Sequence, residues 1–127
     1  MSGELVLIVD DNEMNVKLAR DVLRFAGYRT LEAGTGADGR SLAAEHLPDV
    51  ILMDIRLPDM DGTEAVRHLK EDGRTAGIPV VALTSFAMKG DRERFLEAGF
   101  DGYLEKPISV KAFPEQVRGY LEGGVTG

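Results

Sequence analysis

The chain has 127 residues, 15 basic against 22 acidic side chains for a net charge of −7, and no cysteine. That length suits one domain, able to bury about two-thirds of its unfolded surface without a staple. Disulfides and thiolate metal sites are excluded, and with no Lys/Arg cluster to neutralise phosphates a nucleic-acid partner is not expected.

Met1-Ser2-Gly3-Glu4 lacks a basic n-region and no apolar run approaches about 18 residues, so neither a signal peptide nor a membrane span is expected. The first apolar run, Leu5-Val6-Leu7-Ile8-Val9, reads as a buried strand ending in Asp10-Asp11. From Asn12 to Ala26, apolar residues recur near helical spacing until Gly27 stops them. Tyr28 to Ala33 is a partly polar strand suited to a sheet edge, and Ala37 to His46 is a helix ended by Pro48. Val50-Ile51-Leu52-Met53 runs into Asp54, and Leu57 to Gly62 leads to a helix from Thr63 to about Glu71. Val80-Val81-Ala82-Leu83 runs into Thr84, followed by a helix over Ala87 to Ala98, weakened by Gly90 and ended by Gly99. Tyr103-Leu104 leads through Glu105 to Lys106-Pro107, and Ser109 is expected to cap a last helix from about Val110 to Leu121.

Five alternating βα units imply a parallel sheet covered on both faces, with right-handed crossovers. The apolar third and fourth strands should be central. Gly123 to Gly127 is too short for a second domain, so the chain reads as one domain over 1–127, with a core of about 4–122. Met1 and the glycine-rich end suggest a complete product; a piece of a longer protein is the alternative. In an open parallel sheet, ligands sit at the carboxyl ends of the strands. Asp10, Asp11, Asp54, Thr84 and Lys106 would meet there. Three acids, a hydroxyl and an ammonium suit a divalent cation and a phosphoryl group.

Val9-Asp10-Asp11-Asn12, Met53-Asp54 with Leu57-Pro58-Asp59-Met60-Asp61-Gly62, Leu83-Thr84 and Lys106-Pro107 occur in order, each at a strand end. In this the chain resembles, from end to end, the receiver domains of two-component response regulators. Asp11-Asn12-Glu13-Met14-Asn15 is also similar to receivers of hybrid kinases and of stand-alone, DivK-type cell-division regulators. The resemblance implies a flavodoxin-like (βα)5 fold with strand order 2-1-3-4-5. It implies Asp54 as phosphoacceptor and Mg²⁺ as cofactor, bound directly by Asp11 and Asp54, through water by Asp10, and by the backbone carbonyl of Arg56. Thr84 and Lys106 would hold phosphoryl oxygens, with a cis Lys106-Pro107 bond aiming the ammonium inward.

The resemblance also makes Thr84 and Tyr103 a switch: the hydroxyl moves toward the new charge and the ring turns into the space left. Such a change is a population shift toward the state that phosphate binds better. Arg56 and Phe86 would flank the path of the hydrolysing water, and Phe86 is expected to screen the acyl phosphate. Ser85 departs from the alanine common beside the switch threonine. The donor would be a sensor histidine kinase or histidine phosphotransferase docking on the first helix around Asn15, Leu18 and Val22. A downstream protein would read the fourth helix, fifth strand and fifth helix. The expected role is a phosphoacceptor with its own phosphotransfer and autodephosphorylation chemistry, not an enzyme, in the cytoplasm. A phosphate sink is the alternative, and a phosphorylation-dependent dimer is left open.

Two further motifs point elsewhere. Gly34-Thr35-Gly36-Ala37-Asp38-Gly39 spells a dinucleotide fingerprint, but it follows the second strand, and the next strand ends at Asp54, only 15 residues beyond Gly39 where an acid about 20 residues on is needed. Asp59-Met60-Asp61-Gly62-Thr63 spells the nucleophile motif of haloacid-dehalogenase-type phosphatases, but Pro58 precedes it and the apolar run ends at Asp54. His46 and His68 have no metal-ligand neighbours in sequence and read as solvated helix residues.

Overall fold

The computed structural model describes residues 3–85, 90–106 and 108–122. Five parallel strands lie in the order β2-β1-β3-β4-β5: β1 is Leu5–Val9, β2 Arg29–Ala33, β3 Val50–Asp54, β4 Val80–Thr84 and β5 Gly102–Glu105. The helices are α1 Glu13–Phe25, α2 Gly36–His46, α3 Gly62–Glu71, α4 Asp91–Ala98 and α5 Phe113–Leu121. This is the flavodoxin-like order expected, with polar β2 at one edge. None of the helices among the described residues is long and apolar enough to cross a membrane.

Strand side chains alternate between faces, and the core divides accordingly. Val6, Ile8, Val50, Leu52, Val81, Leu83 and Leu104 pack with Val16, Ala19 and Leu23 of α1 and with Phe113 and Val117 of α5. The intervening Leu7, Val9, Ile51, Met53, Val80 and Ala82 pack with Ala43 of α2, Ala65, Val66 and Leu69 of α3, and Phe95 of α4. Because β1, β3 and β4 are buried on both faces, they are apolar along their length, with Asp54 and Thr84 only at the carboxyl ends of β3 and β4.

Helix ends explain where the boundaries differ from expectation. Asn12 is the N-cap of α1 and not its first residue: its Oδ1 accepts from the amides of Met14 at 3.0 Å and Asn15 at 3.1 Å. Gly27, at φ 101°, turns the chain out of α1. The last helix begins at Phe113, later than Val110, and Ser109 caps only the preceding turn, its Oγ accepting from Ala112 N at 3.2 Å. Pro114 lies in the first turn of α5, where its missing N–H costs nothing. Gly90 stands at φ 92° as the N-cap of α4, outside the helix; residues 87–89 of the expected helix lie outside the described residues. So do Phe86 and Pro107, and with them the expected screen and the cis bond.

Candidate functional site

The sheet register brings the predicted residues into one row. Val9 pairs with Met53 and Asp54 with Leu83, so Asp10 and Asp54 lie level at the ends of β1 and β3. Thr84 pairs with Glu105, and Lys106 N donates to Thr84 O at 2.8 Å, which ties the ends of β4 and β5 together. Asp10, Asp54 and Lys106 follow the parity of Ile8, Leu52 and Leu104, the α1/α5 side of the sheet. Thr84 follows Ala82, the α3/α4 side.

Lys106 Nζ donates to Asp54 Oδ2 at 2.9 Å. It also lies 3.0 Å from Asp10 Oδ2, but off the hydrogen-bonding direction, so this second contact is an ion pair that leaves Oδ2 buried without a hydrogen bond. The remaining carboxylate oxygens are aimed by backbone amides: Asn12 N donates to Asp10 Oδ1 at 2.9 Å and Arg56 N to Asp54 Oδ1 at 3.1 Å. Burial pushes the Asp54 carboxyl above the usual range, with Lys106 and the Arg56 amide opposing. Burial alone would lower the Lys106 ammonium, but Asp54 and Asp10 outweigh it and its pKa lies above the ordinary value.

Asp10, Asp11 and Asp54 each offer a carboxylate oxygen within 4.8 Å of the others. Asp10 is buried, Asp54 half-buried and Asp11 exposed. A hard cation fits this set: three anionic oxygens converge, one of them buried and short of a donor, and a single lysine cannot neutralise all three.

Thr84 is buried and borders, with Asp54 and Arg56, a cavity of about 470 Å³. Tyr103 is half-buried against the α3/α4 core, its ring 6.0 Å from that of Phe95 and inclined by 61°. Asn15 and Leu18 line a small cleft with Asp10 and Lys106, whereas Val22 packs against the core. Among the described residues, His46 pairs with Glu45 at 3.9 Å and His68 with Glu64 at 3.6 Å, both partly exposed on their helices. Arg94 and Asp91 also border the Asp54 cavity; they carry no motif in the sequence, and the packing of α4 brings them there.

The chain matches the family described as "Response regulator receiver domain" over residues 6–118. It is 49% identical over 116 residues to the polar-differentiation response regulator DivK of Brucella anthropi, covering 91% of this chain and 94% of that one. The DivK of Brucella ovis is likewise 49% identical, with the same coverage. Among solved structures, the receiver domain of sensor histidine kinase PA1611 from Pseudomonas aeruginosa, which has a magnesium ion coordinated in its active site cleft, superposes with a TM-score of 0.83. It is 33% identical, covering 99% of this chain and 100% of that one. The chemotaxis response regulator CheY4 of Vibrio cholerae superposes with a TM-score of 0.87 at 25% identity, covering 92% and 98%. With the parallel sheet, the acid cluster and the lysine at the ends of its strands, this chain belongs to the receiver-domain family of two-component response regulators.

Proposed function

We propose that Asp54 accepts a phosphoryl group from the phosphohistidine of a sensor histidine kinase or histidine phosphotransferase, and that the phosphorylated domain signals through protein contacts. The observation that carries this reading is the Lys106 ammonium 2.9 Å from Asp54, with two further carboxylates gathered beside it. An Asp54 oxygen attacks phosphorus; the bond from phosphorus to the donor nitrogen breaks, its electron pair staying on the imidazole. Lys106 places a compact positive charge against a phosphoryl oxygen, and the Arg56 amide keeps the carboxylate oriented. Asp10, Asp11, Asp54 and the backbone carbonyl of Arg56 would hold Mg²⁺, which when bound offsets the charge of the phosphoryl oxygens.

Thr84 is the hydroxyl that follows the charge on Asp54, and Tyr103 is the ring that responds. Their support is the shared α3/α4 side: Thr84 borders the Asp54 cavity, and Tyr103 packs against Phe95 of its wall. Water entering beside Arg56 would release the phosphate, so autodephosphorylation belongs to the same reading. The test is a phosphotransfer profile against the histidine kinases of the source organism, comparing the chain with Asp54→Asn. Rapid labelling by one or two kinases that disappears in the variant is expected; labelling that persists in Asp54→Asn would sink the assignment.

A further inference from the structure

The cavity of about 470 Å³ beside Asp54 is walled on its far side by α4. Arg94 borders it there. Its Nη2 donates to Asp91 Oδ1 at 3.2 Å and its Cζ stands 5.0 Å above the ring of Phe95, which is 1% exposed. The buried ring offers the guanidinium a cation–π contact on the cavity wall.

We propose that Arg94 is a specificity-determining residue for low-molecular-weight phosphoryl donors, and that it favours acyl phosphates by holding the carboxylate that departs. The inference rests on Asp54 being the phosphoacceptor. In an in-line displacement the attacking and departing groups lie on opposite sides of phosphorus. Lys106 and Asp10 crowd Asp54 on the α1/α5 side, and the cavity that Asp54 and Arg94 both border gives a departing group room on the α4 side. With an acyl phosphate, an Asp54 oxygen bonds to phosphorus, the bond from phosphorus to the acyl oxygen breaks, and the electron pair leaves on a carboxylate. No proton is required. A departing carboxylate meets in Arg94 a planar, permanently charged fork of matching geometry. A phosphoramidate differs: its nitrogen already carries the needed proton and leaves as neutral ammonia, to which a guanidinium offers no charge complement.

The experiment measures second-order phosphorylation rates of the full chain with acetyl phosphate and with phosphoramidate in Mg²⁺, read as intact-protein mass, for the chain, Arg94→Gln, Arg94→Lys and Asp54→Asn. In Arg94→Gln the acetyl phosphate rate is expected to fall about tenfold relative to the phosphoramidate rate, as for one lost charge-assisted hydrogen bond. Arg94→Lys, which keeps the charge without the fork, should recover part of that ratio. A ratio within about twofold of the original, including an equal fall with both donors, overturns the inference while leaving Asp54 as acceptor. Labelling that survives Asp54→Asn, or an unlabelled original chain, overturns the acceptor reading and this inference with it.

Discussion

The carboxylate of Asp59 caps α2 at Gly36: Oδ1 accepts from Gly36 N at 2.8 Å, and Oδ2 from Ala37 N at 2.9 Å. A helix N-terminus presents unpaired amides that attract an anion, and here the anion is supplied from the loop after β3. One contact thereby disposes of both misleading motifs. The amides a dinucleotide phosphate would use are taken, and the aspartate a phosphatase would use as nucleophile is committed to them. The glycines of the fingerprint have packing reasons instead. A Cβ on Gly36 would come within 2.7 Å of Met60, and one on Gly39 within 2.9 Å of Val9.

Asp59→Ala should therefore lower the melting temperature without abolishing phosphorylation at Asp54, as checked by calorimetry and by intact mass. The two amides hold the Asp59 carboxyl below its ordinary pKa. A lowered folded pKa stabilises the fold at pH values above the unfolded value of about 3.9, and that stabilisation fades as pH falls below it. The gap in melting temperature between original and variant should thus be full near neutral pH and close in acid. A gap independent of pH would assign the effect to packing alone.

How much of this could be read beforehand follows from range. Asp10, Asp54 and Lys106 each end an apolar run, and period-2 alternation puts all three on one face of a sheet whose parallel order follows from the βα repeat. That part was legible. The Asp59–Gly36 contact spans 23 positions, from a loop to the start of α2, and no local pattern encodes it. Arg94 is similar: an exposed arginine paired to Asp91 three residues earlier looks like an ordinary surface helix pair. α5 starts later than Ser109 suggests, because Ser109 caps a turn, and the proline in the first turn of the helix is the better marker.

Divalent cation should stabilise the chain by mass action. At about 100 times its dissociation constant, a ligand that binds only the folded state adds about 2.7 kcal/mol. Mg²⁺ should raise the melting temperature in a concentration-dependent way, and EDTA should reverse it. Asp11→Asn removes one of the three converging carboxylates while leaving the buried Asp10 in place, so it should remove most of the Mg²⁺-dependent rise. An undiminished rise in Asp11→Asn would place the cation elsewhere.

Lys106→Met should destabilise the metal-free chain by about 2 kcal/mol, the scale of a hydrogen bond to a charged group. It leaves Asp10, whose side chain is 1% exposed, without its nearby cation, and takes from Asp54 its donor at 2.9 Å. Since Mg²⁺ supplies positive charge to the same carboxylates, the deficit measured in urea should shrink when Mg²⁺ is added. An equal deficit with and without the cation would show that Lys106 and the metal do not share these charges.

Gly62→Ala tests the geometry from the backbone side. Gly62 opens α3, and its amide donates to Ile55 O at 2.6 Å, closing the loop that follows Asp54. A Cβ there would stand 2.5 Å from the carbonyl oxygen of Asp54 and 2.9 Å from Ile55 Cα. Both are backbone atoms, so no side chain can swing aside; either α3 or the end of β3 must move. Overpacking of this kind costs typically about 1–3 kcal/mol. Because the displaced atoms belong to Asp54 and its neighbour, phosphorylation should slow along with the loss of stability, whereas Gly73→Ala, which meets nothing within 4 Å, should change neither. A variant at position 62 that loses stability but keeps its full phosphorylation rate would show that the strain is taken up by α3 and not by the strand that carries the acceptor.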